Sequence, residues 1–381
     1  MKRLSTLVRC CLAAIIFVLV LEVCARIDDV VTYGARFSGP YNNDILFQRD
    51  NIGKWGKPGA RYAKWQLNSL GYRGPELRPG TIRIICMGAS ETFGMYEAPD
   101  QEYPRQLERD LNSGMPTGLF QVVNVAYAGE TVPTAILRAP QIIAQIHPSY
   151  GVIYPDFTYY IWMPLKTDKA AAHEPSAPPA TQAGTRFESR LAGRVNNLLK
   201  SALPSAVQNE LRKLVIRREI ATRHYVVMER LPEERVELFR QDLQKLVATL
   251  RSYGVEPILV THATFFPKPF SESDRTMLTN WRKFYPMLKE DGFIDMQSRM
   301  NEVVRQTAAA EHVPLIDADK EMPPGPKYFD DMVHFTTEGA EVMASILADG
   351  MKPLLNSKVP NGAGQVRSAD GKLHPIDLSQ Q

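Results

Sequence analysis

The sequence predicts an α/β fold: a doubly wound, five-stranded parallel sheet interrupted by a helical insertion. Three observations point to it. Five short apolar runs, at 82–87, 122–126, 151–154, 257–261 and 313–316, have the length of buried strands. Between them, stretches at 103–111, 134–146, 233–253, 294–310 and 338–355 carry apolar residues at three- and four-residue spacing, as amphipathic helices do. Strands alternating with helices form a parallel sheet covered on both faces, in which ligands sit at the carboxyl ends of strands. The third observation is the interruption at 166–222. It opens with an Ala/Pro/Thr-rich loop at 166–185 and continues as two amphipathic helices, 187–203 and 207–220, separated at Pro204.

Composition limits what such a chain can do. Among 381 residues, 45 Lys and Arg face 42 Asp and Glu, a net charge of +3, so this is not a basic nucleic-acid binder. With 44% hydrophobic residues and a single long apolar run, there is no material for a polytopic membrane protein. Cys10, Cys11 and Cys24 lie in that run, which leaves only Cys86 in the body and excludes an internal disulfide or a thiolate zinc site there.

Residues 1–25 read as an address. Lys2, Arg3 and Arg9 precede an unbroken apolar stretch at 10–21 that ends at Glu22. Val23-Cys24-Ala25 offers a small-residue cleavage site, so the segment is either a signal peptide or an uncleaved single-span anchor in the inner membrane. Glu22 and Val23 make a poor lipoprotein box before Cys24. Because the basic end stays inside, the rest of the chain is expected to be exported to the periplasm or another extracytoplasmic space. Residues 26–80, rich in Gly, Pro, Asn and aromatics, read as an irregular extension packed on the main domain, 81–358. The tail, 359–381, is polar and expected to be flexible. Between 186 and 224 there are nine Lys or Arg and three Asp or Glu, +6 locally, suited to a solvated face or to a surface for anionic lipid or polysaccharide.

Two segments carry candidate chemistry. After the first strand comes Gly88-Ala89-Ser90-Glu91-Thr92-Phe93-Gly94, where small residues leave a serine exposed at a strand end. It is not the G-x-S-x-G elbow, since Thr92 stands where a glycine is needed. On its own the turn fits a structural loop, a phosphate cradle or a nucleophile. Near the other end, Asp331-Met332-Val333-His334 sets a carboxylate three residues before an imidazole, which one helical or 3₁₀ turn would bring to the same side. Asp331 would then accept the Nδ1 proton of His334, leaving Nε2 ready to take a proton from a serine.

Together these segments resemble the first and last blocks of the SGNH hydrolases, the GDSL-like esterase superfamily, in its exported bacterial form. The resemblance spans about residues 68–355, beginning with Asn68-Ser69-Leu70-Gly71-Tyr72-Arg73-Gly74. It implies a flavodoxin-like sheet, Ser90 as nucleophile, His334 as base and Asp331 as its orienting partner, with no cofactor. Asn124-Val125-Ala126-Tyr127-Ala128-Gly129 is similar to the second block, and that likeness assigns to Gly129, with Ser90, the backbone N–H groups of an oxyanion hole. The third block departs from the family pattern, because Tyr154-Pro155-Asp156-Phe157-Thr158 holds no asparagine donor. Asp156 or Thr158 takes that position, or His262, after the fourth strand, replaces it. An ionised Asp156 would repel an oxyanion, and loss of one donor costs ~10²–10³ in rate.

His262 is otherwise a satisfied structural histidine, and His147, His173, His224, His312 and His374 form no ligand cluster in sequence. The family resemblance implies an esterase acting on an acyl ester, with O-acetyl groups on a carbohydrate or polysaccharide as the expected substrate. An O-acyltransferase using the same triad and a non-catalytic polysaccharide-binding or assembly module are the alternatives.

Overall fold

A computed structural model of the chain describes residues 2–33, 37–38, 43–113, 118–162, 189–202, 205–223, 225–267, 270–356, 365–367 and 373–375. The expected loop at 166–185 lies outside these residues. Helix α1 (Lys2–Tyr33) contains 25 residues, Val8–Thr32, long and apolar enough by length and composition to cross a membrane. It continues past Ala25, where the export segment is expected to end. Two antiparallel hairpins follow, β1 (Phe47–Arg49) with β2 (Lys54–Gly56) and β3 (Arg61–Tyr62) with β4 (Trp65–Gln66). Leu46, Tyr62 and Leu67 of this extension form a small core with Phe93 and Ala126. The extension therefore packs on the turn that carries Ser90.

The main domain begins with β5 (Ile82–Gly88), the four-residue helix α2 (Ser90–Phe93) and α3 (Tyr103–Leu111). Next come β6 (Phe120–Asn124), α4 (Val132–Ile146), β7 (Tyr150–Tyr154) and the short α5 (Tyr159–Trp162). The insertion supplies α6 (Arg190–Ala202) and α7 (Ser205–Arg223). Then the alternation resumes with α8 (Glu233–Ser252), β8 (Glu256–Val260), α9 (Glu272–Trp281), α10 (Glu290–Ala310) and β9 (Leu315–Ile316). The helices α11 (Ala318–Glu321) and α12 (Thr337–Asn356) close the domain. In the tail, β10 (Gln365–Arg367) pairs antiparallel with β11 (Leu373–Pro375).

The five-stranded sheet is parallel in the order β6-β5-β7-β8-β9. All residues of β6 and β7 are buried, as expected for strands covered on both faces. Helix α3 packs on α12, while α4 packs on α8 and α8 on α10, giving two helical layers around the sheet. The direction of winding reverses between β5 and its neighbours β6 and β7, so the carboxyl end of β5 is the topological switch point. Gly88 ends that strand: a Cβ there would collide with the Thr92 hydroxyl and stand 2.8 Å from the Tyr154 carbonyl oxygen. Only a residue without a side chain lets the Ser90 turn lie this close to β7.

The fifth strand is shorter than the expected run at 313–316. The Val313 N–H donates to the Ala308 carbonyl and closes the end of α10 instead, leaving Leu315 and Ile316 to pair with β8 at the sheet edge.

Candidate active site

Ser90 opens α2 directly after β5 and is half-buried. The turn is braced from three sides. From β6, the Asn124 side-chain amide donates to the Thr92 carbonyl at 2.8 Å. The Arg73 guanidinium donates to the carbonyls of Phe93 and Gly94 and pairs with Glu102 at 2.8 Å, both side chains being almost wholly buried. Trp65 Nε1 donates to the Gly94 carbonyl at 2.9 Å. Each contact satisfies a carbonyl at the end of a helix too short to satisfy its own.

His334 Nε2 lies 2.8 Å from Ser90 Oγ, and His334 Nδ1 lies 2.9 and 2.8 Å from the two carboxylate oxygens of Asp331. The structure thus joins Ser90, His334 and Asp331 in one hydrogen-bonded chain. Asp331 and His334 are not on a helical turn, which corrects the expected local geometry. Residues 330–333 form a bend in which Asp331 Oδ1 accepts the backbone N–H groups of Val333 and His334, each at 3.0 Å. A short carboxylate side chain capping its own turn achieves what the helix would have done. Because a carboxylate only accepts, Nδ1 carries the hydrogen and Nε2 presents its lone pair to the serine hydroxyl.

The electrostatics favour a basic imidazole. Burial opposes charge on His334, but the Asp331 hydrogen bond and the nearby Glu91 carboxylate outweigh it and raise the imidazole above its ordinary value. Burial likewise opposes charge on Asp331, and the His334 contact with the two backbone donors holds its carboxyl below the usual range. A general base works only when neutral, so the acid limb of any Ser90-dependent activity is expected above the ordinary imidazole value of about 6.5. The pH profile of kcat/KM checks this; a limb below that value would contradict it.

Glu91 is a feature that motif reading left without a role. Its buried carboxylate has Oε2 3.3 Å from Ser90 Oγ and Oε1 3.7 Å from His262 Nε2. Burial works against its charge, yet the His262 and His334 rings on its two sides hold its carboxyl below the usual range. A charged residue in a small-residue turn was the available signal. His262 is itself buried, stacked on Tyr154 with ring centroids 4.6 Å apart, and its Nδ1 donates to the Ala263 carbonyl at 2.9 Å. Both ring nitrogens are thus directed to protein partners.

At the end of β7, the Thr158 hydroxyl lies 2.9 and 2.8 Å from the two oxygens of Asp156, and its N–H donates to Oδ1 at 3.1 Å. Burial and the Glu91 charge push the Asp156 carboxyl up to about 6, although the Thr158 donors partly offset them. Gly129 is exposed at φ +82°, in a turn closed by the Glu130 N–H donating to the Tyr127 carbonyl at 3.1 Å. Among the described residues, no group of three or more His, Cys, Asp or Glu is arranged to hold a metal ion.

No known family model matches the chain, and no curated protein matches it in sequence. Among solved structures it is similar to the lipase/acylhydrolase from Enterococcus faecalis, with 16% identity over 71% of this chain and 96% of that one and a TM-score of 0.41. It is also similar to a catalytic mutant of an acetylxylan esterase from Geobacillus stearothermophilus, at 14% identity, 72% and 96% coverage and a TM-score of 0.40. A GDSL-like lipase from Bacteroides thetaiotaomicron is similar at 14% identity, 72% and 89% coverage and a TM-score of 0.39.

Proposed function

We propose that this chain is an exported serine ester hydrolase that removes acyl groups, with O-acetyl groups on a carbohydrate as its substrate. The observation that carries the proposal is the unbroken chain from Ser90 Oγ through the His334 ring to the Asp331 carboxylate, with heavy-atom separations of 2.8–2.9 Å. The exported location rests on the basic and apolar N-terminus, and the carbohydrate ester on the family resemblance of the motifs.

Ser90 Oγ attacks the ester carbonyl carbon as its proton passes to His334 Nε2, and Asp331 stabilises the imidazolium. The carbonyl oxygen becomes an oxyanion, held by the N–H groups of Ser90 and Gly129; neither N–H has a hydrogen-bond partner among the described residues. Collapse breaks the ester bond, the imidazolium gives its proton to the departing sugar oxygen, which leaves as the free hydroxyl, and an acyl-serine remains. Water then repeats the sequence, releasing the carboxylic acid and free Ser90.

Asp156 stands in this reading where an amide donor would serve better. Above pH 6 its carboxylate opposes the oxyanion. Asp156→Asn is therefore expected to raise kcat at mildly alkaline pH by roughly tenfold or more, restoring part of the ~10²–10³ that one oxyanion donor contributes. Equal kcat for the two proteins would remove this side chain from the mechanism.

The reaction itself is tested with a fluorophosphonate probe and with acetylated oligosaccharides. Covalent labelling and acetate release into water are expected. A wild-type chain that is neither labelled nor active would overturn the proposal, and acetyl groups appearing on an added glycan would reassign the second half-reaction to transfer.

A further inference from the structure

The amino-terminal helix changes character within one turn. From Cys10 to Val20 its side chains are apolar and exposed, among them Leu12, Ile15, Ile16 and Phe17. Residues 4–21 would measure about 27 Å at 1.5 Å per residue, close to the ~30 Å of a bilayer core, with Lys2 and Arg3 at the inner end and Arg9 near enough to snorkel. Beyond Leu21 the helix is bonded to the insertion. Glu22 Oε1 accepts the N–H of Arg190 at 3.1 Å and Arg26 Nε at 2.8 Å, while Oε2 accepts the N–H of Leu191 and the Ser189 hydroxyl, each at 2.9 Å. Glu22, 168 positions earlier in the chain, thus shares the capping of α6 with Ser189, whose hydroxyl accepts the Ala192 N–H at 3.1 Å.

A second set of bonds reinforces the first. Arg190 pairs with Asp29 at 3.0 Å, with side-chain exposures of 1% and 0%. Arg194 reaches Asp29 at 2.7 Å and Asp28 at 2.6 Å. Arg26 also donates to the Phe37 carbonyl at 2.7 Å. Cleavage after Ala25 would remove Glu22, leaving the N–H groups of Arg190 and Leu191 without their acceptor and the Asp29–Arg190 pair on a frayed stub. A disposable leader has no reason to supply a buried cap to the mature domain.

The helices held by this clamp carry the chemistry of a membrane surface. Of the eight Lys or Arg at 190–223, Arg190 and Arg194 are paired with Asp28 and Asp29, which leaves six against Glu210 and Glu219. Val195, Leu214 and Val215 are exposed, the last two lying in sequence between Lys213 and Arg217. Apolar side chains set among basic ones suit the boundary between acyl chains and anionic headgroups. The adjoining span would supply that boundary at the level of Glu22.

We propose that the amino-terminal helix is retained as a membrane anchor, and that its clamp on the insertion holds α6 and α7 against an anionic phospholipid surface. The insertion is then a membrane-resting collar, and the sheet domain works next to the bilayer rather than free in solution.

The test uses the full chain, tagged at its carboxyl end and produced in a bacterial host, and its readouts involve no ester chemistry. Peptides from residues 1–25 are expected in the mature protein, which should stay in carbonate-washed membranes. A mature amino terminus near Arg26 in the soluble fraction would overturn retention. For the collar, Leu214→Cys in a background with Cys10, Cys11 and Cys24 replaced by serine is labelled with a fluorophore and reconstituted into vesicles. Quenching by nitroxide-bearing lipid is expected, more strongly with phosphatidylglycerol than with phosphatidylcholine alone. No quenching, or a response to soluble acidic polysaccharide and not to lipid, would overturn the lipid assignment. Glu22→Ala should speed tryptic cleavage within α6 and α7 by at least about tenfold, by leaving the N–H groups of Arg190 and Leu191 without an acceptor. Unchanged cleavage would show that the clamp does not hold them.

Discussion

Replacing Ser90 with alanine is expected to lower ester turnover by about 10⁶-fold and to abolish fluorophosphonate labelling, leaving only the rate that binding and oxyanion stabilisation supply without a nucleophile. The prediction follows from which acceptor the serine proton meets. His334 Nε2 is at 2.8 Å and Glu91 Oε2 at 3.3 Å, so the imidazole holds the shorter bond and, once protonated, can pass the proton onward to the leaving group. His334→Ala should cost about as much, and the double variant little more than either, because the two groups act as one unit. Turnover of p-nitrophenyl acetate, with thermal unfolding to exclude loss of fold, is the measurement. A folded Ser90→Ala protein that keeps wild-type turnover would end the assignment of nucleophile.

What could be read from the chain divides according to range. Asp331 and His334 are three residues apart, so their partnership is local and legible, although the capped bend that creates it was not. Ser90 was legible as a serine in a small-residue turn at a strand end, although that turn by itself also fitted a structural loop or a phosphate cradle. The meeting of Ser90 with His334 spans 244 residues, beyond the reach of periodicity, and was expected only from the resemblance of the two segments to the SGNH blocks. Interactions fixed by neither spacing nor sheet logic stayed hidden. Arg73 bracing the Ser90 turn is one; another is Glu22 capping a helix of the insertion. His262 shows the limit most clearly. Its position at a strand end left a substrate-side group and a satisfied structural histidine both open; in the structure Asn301 accepts its backbone N–H at 2.7 Å, and Asn301 and Gln297 of α10 both donate to its carbonyl. Those contacts and the Tyr154 stack turn its ring toward Glu91.

Asp331→Asn is expected to lower kcat by ~10²–10⁴-fold with KM little changed, a loss that comes from the wrong tautomer rather than from lost binding. In the native arrangement Asp331 Oδ1 already serves the N–H groups of Val333 and His334, and Oδ2 takes the shorter of the two contacts from Nδ1. Asparagine can keep the backbone bonds with its oxygen. Its amide nitrogen then replaces Oδ2 and donates, which favours a bare Nδ1 and a hydrogen on Nε2, where the serine proton must go. The same change removes a major contribution to the raised basicity of His334, so the acid limb of the residual activity should move to lower pH. Lowering the pH cannot reproduce the variant: with its carboxyl held below the usual range, Asp331 stays charged through the region where His334 gains its proton. The two effects separate in one experiment, a kcat/KM profile of both proteins. A residual profile with an unmoved acid limb would mean that Asp331 does not tune His334, and a kcat within about tenfold of wild type would mean that it does not fix the tautomer.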